Sequence, residues 1–330
     1  MYQADKDRYK KMEYTHCGES GLQLPRIALG LWHNFGDISD YKTMKEMIFT
    51  AFDNGITYFD IANNYGPEPG AAERNFGYIL KSDLMQYRNQ MIISTKAGFT
   101  MWDGPYGDGG SRKYLMSSLD ESLERLGLPY VDIFYHHRMD KTTPLMETML
   151  ALRDIVLQGK ALYIGLSNYD GETLEKATKL LDDLHVPFIV NQNRYNILDR
   201  TIEKNGLKET SNRLGKGIVA FSPLAQGLLT DRYLNGIPED SRVKTDNRFL
   251  NESNLDEKQM RITRELNEIA KERNESLAEM ALKWVLKDNQ VNTCIIGASN
   301  SSQIIENCKV VHDTNFSEEQ LKKIDEIAGY

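Results

Sequence analysis

Long apolar runs, cysteine pairs and basic clusters are all missing from this chain, and each absence removes a class of answers. No stretch of the 330 residues reaches the roughly 20 consecutive apolar positions that a membrane-spanning helix needs. Residues 1–11 are too polar for the core of a signal peptide, so a cytoplasmic protein without a membrane partner is expected. The three cysteines, Cys17, Cys294 and Cys308, are odd in number and lack CxxC or zinc-type spacing, which argues for reduced thiols rather than a disulfide framework or a structural metal. Lys and Arg total 40 against 48 Asp and Glu, and they are scattered, so nucleic acid is not an expected partner. No Pro/Gly/Ser-rich linker breaks the chain, and 40% hydrophobic residues suffice for one large core; residues 1–330 therefore read as a single domain.

What is present is alternation. Short β-branched and aromatic runs at 27–31, 57–59, 91–95, 131–136, 161–166, 188–191, 218–221 and 293–296 are separated by amphipathic stretches such as 42–52, 113–126, 143–157 and 172–184. Eight such βα units predict an α/β fold, a (β/α)8 TIM barrel. An open doubly wound sheet competes, but the nearest thing to a GxGxxG turn, Gly107 to Gly110, has the wrong spacing and follows the third strand. Residues 12–25 read as a hairpin capping the N-terminal end of the barrel, with Gly21 in its turn. A long polar loop is expected at 230–255, and extra helices at 256–273, 276–287 and 316–328, the last opened by a Ser317/Gln320 capping box.

In such a barrel the chemistry lies at the C-terminal ends of the strands. There the second strand ends in Asp60, with Tyr65 in the loop that follows; the third ends in Lys96 and the fourth in His136 and His137. A nearby ammonium such as Lys96 favours the phenolate of Tyr65 and is expected to lower its pKa, Asp60 would keep the lysine charged, and a histidine would orient a carbonyl. Neighbouring strand residues face opposite ways, and His137 is taken as the inward one. Singly, each residue has an ordinary reading as an ion pair or a packed ring; the combination favours proton transfer. A zinc site on the two histidines lacks further ligands at compatible spacing.

The later strands end in hydrogen-bonding groups: Gly165, Leu166, Ser167 and Asn168; Asn191 and Gln192; Phe221 and Ser222; Gly297, Ala298, Ser299 and Asn300. Asn168 and Gln192 offer the donor and acceptor that a carboxamide needs, and Phe221 a stacking ring, although loop capping accounts for them equally well. Ser299, Asn300 and the helix after them suit an anion, with Arg242 in the long loop as a source of charge.

The order Asp60, Tyr65, Lys96, His137, with Gly165 to Asn168 and with Gly297, Ala298, Ser299, Glu306 and Asn307, resembles the aldo-keto reductases over nearly the whole chain. The segments 30–36, 94–98 and 222–230 are similar to the branch holding bacterial L-glyceraldehyde 3-phosphate reductases and potassium-channel β-subunits. The resemblance implies an NADPH-dependent reductase of small aldehydes, with L-glyceraldehyde 3-phosphate or methylglyoxal as candidates. It makes Tyr65 the proton donor, tuned by Lys96 and Asp60, with His137 on the substrate. It further implies Trp32 near substrate and nicotinamide, Ser167, Asn168 and Gln192 on the carboxamide, Phe221 stacking, and Ser222, Leu224, Gln226 and Gly227 along the pyrophosphate. Arg242, Ser299 and Gln303 would meet the 2′-phosphate, Glu306 and Asn307 the adenine, and Gly297 would also contact the cofactor. A homo-oligomer, a tetramer or larger, is also implied.

Two other classes compete. A cofactor-binding regulatory β-subunit shares the fold, but His137 and the short segment ahead of the hairpin speak for an enzyme. A Schiff-base barrel would use Lys96 as its nucleophile. Trp32, Trp102, Tyr106 and the glycine-rich stretch 104–110 are expected to wall the substrate pocket. Arg112 or Arg138 would meet a substrate phosphate, unless Arg112 is an exposed helix start and Arg138 pairs with Asp140.

Overall fold

The computed structural model describes residues 2–234 and 257–330. Two short strands come first, β1 (Tyr14–His16) and β2 (Gln23–Pro25), paired antiparallel with Thr15 opposite Leu24. Eight parallel strands follow: β3 (Ile27–Gly30), β4 (Tyr58–Asp60), β5 (Ile92–Ala97), β6 (Val131–His136), β7 (Ala161–Ser167), β8 (Phe188–Arg194), β9 (Gly217–Phe221) and β10 (Thr293–Ile296). They pair in chain order and β10 closes on β3, which makes the expected barrel.

Helices cover the outside, so the strands are buried on both faces and read as runs rather than alternations; all six residues of β6 are buried. Helix α1 (Tyr41–Asp53) starts where Asp40 accepts from the Thr43 amide, and it buries Met44, Met47, Ile48, Ala51 and Phe52, one stripe at helical spacing. The others described are α2 (Ala71–Ile79), α3 (Arg112–Leu126), α4 (Leu145–Leu157), α5 (Gly171–Asp183), α6 (Thr201–Lys204), α7 (Leu207–Arg213), α8 (Glu257–Glu272), α9 (Leu277–Leu286), α10 (Ser301–Cys308) and α11 (Glu318–Ala328). The Ser317/Gln320 capping box opens α11 as expected, and Ser276 with Glu279 forms a second one at α9.

The hairpin is a floor. Cys17 and Leu24 join Tyr58, Ile133, Tyr135 and Val219 in the cluster that fills the barrel interior. Asn292 ties the hairpin to the strand starts by donating to the His16 carbonyl at 2.8 Å and accepting from the Ile218 amide at 3.0 Å. With that end filled, the open end of the barrel is the C-terminal one. Beyond the turn at Asp231–Tyr233 the long polar loop, Arg242 included, lies outside the described residues.

Candidate active site

Asp60 is the last residue of β4, and Lys96 sits beside it near the end of β5; both are almost wholly buried. Lys96 Nζ donates to Asp60 Oδ2 at 2.6 Å and to the Ile61 carbonyl at 2.7 Å, and it lies 3.4 Å from the Tyr65 hydroxyl. Those contacts use all three ammonium donors. Ser94, two residues before Lys96 and so on the same strand face, holds Asp60 Oδ1 at 2.8 Å, as does Gln192 Nε2 from across the mouth.

Tyr65 is placed by its loop. The Trp32 carbonyl accepts from the Gly66 amide at 3.0 Å, the Tyr65 carbonyl accepts from Ala72 in the first turn of α2, and the Trp32 and Tyr65 rings lie 6.2 Å apart. Gly36 abuts Pro67 so closely that a Cβ would fall 1.5 Å from the proline Cδ, which locks the two loops together. His137 follows β6 with its ring centroid 5.8 Å from that of Tyr65 and edge-on to Phe99 at 4.6 Å. His136 turns away, its Nδ1 on the Tyr169 hydroxyl at 2.8 Å.

The electrostatics differ in one respect from expectation. Burial, and after it the charge of Asp60, holds the Tyr65 phenol well above its ordinary pKa, so the expected acidified phenol is not the resting state. Burial pulls Lys96 down while Asp60 opposes it by charge and hydrogen bond. Burial and then the Lys96 charge hold His137 well below the usual histidine value, so it is a neutral ring at physiological pH. The arrangement is thus a protonated phenol against an ammonium, with a neutral imidazole opposite. It suits delivery of a proton to an oxygen that gains charge during reaction.

A model of the Aldo/keto reductase family matches residues 26–329. The chain belongs to the aldo/keto reductase family. It is 50% identical over 329 residues to the L-glyceraldehyde 3-phosphate reductase of Escherichia coli (strain K12), covering 99% of this chain and 95% of that one. The probable voltage-gated potassium channel subunit beta of Oryza sativa subsp. japonica is 35% identical over 304 residues, 91% of each chain. A putative subunit of the same kind from Schizosaccharomyces pombe is 34% identical over 328 residues, 97% of this chain and 94% of that one. As a member of this family the protein is an oxidoreductase, and the family generally uses NADPH.

The rim of this aldo/keto reductase has the donor set that a nicotinamide nucleotide needs. Ser167 and Gln192 are paired in register at the ends of β7 and β8, and Phe221 ends β9. Asn168, in left-handed backbone at φ 57°, donates to the His137 carbonyl at 2.9 Å. Ser222, Ala225 and Gln226 also have positive φ, at 52°, 46° and 59°. Such backbone costs about 1–3 kcal/mol per residue. Although it also occurs away from the mouth, at His185, Asn274, Asn289 and Asp313, this turn gathers three such residues within five positions. Leu224 and Gly227 stand in that same turn, the Gly227 amide donating to the Leu224 carbonyl at 2.8 Å. Gly297 is exposed just after β10. The Ser299 amide donates to Gln303 Oε1 at 2.9 Å at the start of α10, and further along that helix Glu306 is exposed and Asn307 buried. These groups fit the cofactor.

Two pocket expectations change, and for Arg112 the exposed helix start holds. Trp102 is 41% exposed and packs edge-on to Tyr114, whereas the aromatics beside Tyr65 and His137 are Trp32 and Phe99. Arg112 is held by Asp154 at 2.6 Å, with its amide on Glu147. Arg138 pairs with Asp108 at 2.5 Å, not with Asp140, because Asp140 is taken up by Thr142, Thr143 and the Gly110 amide. The sequence reading missed Ser94, Phe99 and the Tyr58–Tyr135 hydroxyl pair, 2.9 Å apart beneath Asp60. Of these only Ser94 carried a signal, its two-residue spacing from Lys96.

Proposed function

We propose that the protein reduces a small aldehyde with NADPH, and that Tyr65 supplies the proton. One observation supports this above the rest: the Tyr65 hydroxyl lies 3.4 Å from an ammonium that is itself buried against Asp60 at 2.6 Å. When bound, the reduced nicotinamide supplies a hydride to the carbonyl carbon. The chain's own part is to bind, orient and deliver. His137, neutral and edge-on to Phe99, would donate to the carbonyl oxygen and aim it at Tyr65. As that oxygen takes the phenol proton, Lys96 would stabilise the phenolate left behind, and Asp60, braced by Ser94 and Gln192, would keep Lys96 in place.

In this reading Ser167, Asn168 and Gln192 face the carboxamide and Phe221 its ring, the 222–227 turn takes the pyrophosphate, and Ser299, Gln303, Glu306 and Asn307 take the adenosine end, with Arg242 adding charge. L-Glyceraldehyde 3-phosphate and methylglyoxal are the first substrates to try, the former because of the 50% identical relative. Residues 1–330 would act as one domain, in the cytoplasm.

The test follows NADPH absorbance with a panel of aldehydes, with NADH in parallel. The expected result is aldehyde-dependent oxidation that strongly favours NADPH. Tight NADPH binding with no turnover on any aldehyde would instead make the protein a regulatory relative of the channel subunits.

A further inference from the structure

We propose that Arg194 anchors an anionic substituent of the carbonyl substrate, a phosphate monoester, at the barrel mouth beside Phe221. The inference rests on the reductase reading above. Arg194 ends β8, two residues beyond Gln192 and therefore on the same strand face, about 6.6 Å further out. Since the Gln192 side chain reaches Asp60, Arg194 stands over the same opening, one layer higher. It is paired in register with Phe221, and its guanidinium carbon is 5.9 Å from the centre of that ring.

The guanidinium is available. Among the described residues it makes no hydrogen bond, and its ion pair is Asp199 Oδ2, 4.0 Å from Nε, which leaves both Nη groups for a bidentate anion. Arg112 and Arg138, the arginines that the sequence offered for a substrate phosphate, are committed to Asp154 and Asp108. Arg194 lines a cavity of about 360 Å³ with Asn168, Phe221, Met139, Asn193 and Thr201. No catalytic side chain lines that space, so it would take the phosphate end of the substrate, with the carbonyl end reaching past Asn168 toward His137 and Tyr65. Asn168 joins the cavity to the catalytic side through its bond to the His137 carbonyl.

Two acids share the cavity, and both are turned toward helix starts. Asp170 accepts from the Thr173 amide at 2.7 Å, and Asp199 Oδ1 from the Thr201 amide and hydroxyl at 3.1 and 2.7 Å. The site would therefore select an anion by direct bonds to Arg194 rather than by net field.

The experiment compares glyceraldehyde 3-phosphate with glyceraldehyde in the wild type, Arg194→Gln and Arg194→Lys. The ratio of their kcat/KM values should fall at least tenfold in Arg194→Gln, mainly through KM, and recover in part in Arg194→Lys. Inorganic phosphate should compete with glyceraldehyde in the wild type, and less well in Arg194→Gln. Equal losses on both aldehydes overturn the proposal. A rise in the KM for NADPH at an unchanged substrate ratio also overturns it, since the guanidinium would then serve the cofactor's phosphates. If the wild type turns over neither aldehyde, the reductase reading itself fails; if it turns over both and the ratio ignores Arg194→Gln, only this inference does.

Discussion

Lys96 carries its charge where no water reaches, and its neighbours explain how. Asp60, the Ile61 carbonyl and the Tyr65 hydroxyl stand in for solvent around the ammonium. Removing one partner of a buried ion pair costs about 3–5 kcal/mol, because the other charge is left unpaired. Lys96→Met should therefore lower the urea unfolding free energy by about that much; a loss below about 1 kcal/mol would mean that Asp60 needs no cation. The same residue shows what a sequence can and cannot say. The Asp60–Lys96 pair was readable, since both residues stand at ends of strands that a barrel makes neighbours. The resting acidity of Tyr65 was not: it depends on burial, which raises the phenol, whereas only the sign of the nearby charges can be seen in a sequence. A phenol that stays protonated until its acceptor gains charge is still a proton donor.

At the scale of the element, β6 and the residue after it split their two histidines between the barrel mouth and the helical shell. His136 faces outward to Tyr169, fully buried, and burial lowers its pKa to about 4. Its folded value lies below its unfolded value of about 6.5, so the stability it contributes is present above pH 6.5 and is lost as pH falls toward 4. The loss is about 3 kcal/mol when complete. His137 has the same sign. Urea titrations between pH 7 and 4.5 should show stability falling, with a shallower slope in His136→Gln; an identical slope in the variant would remove His136 from the account. Strand ends were the poorly read part of these elements. β5, β7 and β8 run on through Lys96, Ser167 and Gln192, beyond where the apolar runs stop, because polar side chains continue the ladder while pointing into an open mouth.

For the whole molecule, the closed barrel followed from alternation, and the plugged floor from a hairpin that the chain's first turn signals announce. Loop pairings were less legible. The sequence offered Asp140 as the partner of Arg138, and only the folded loops bring Asp108 to it instead. The consequence reaches function, because it commits Arg138 and leaves Arg194 at the mouth. All of this serves one claim, that the Tyr65 hydroxyl gives up the proton. The most direct measurement is kcat for Tyr65→Phe, with NADPH binding followed separately by fluorescence. Loss of a positioned general acid predicts a fall in kcat of about 10²–10⁴-fold, with the cofactor still bound. A variant that binds NADPH and keeps most of the wild-type kcat would contradict the assignment.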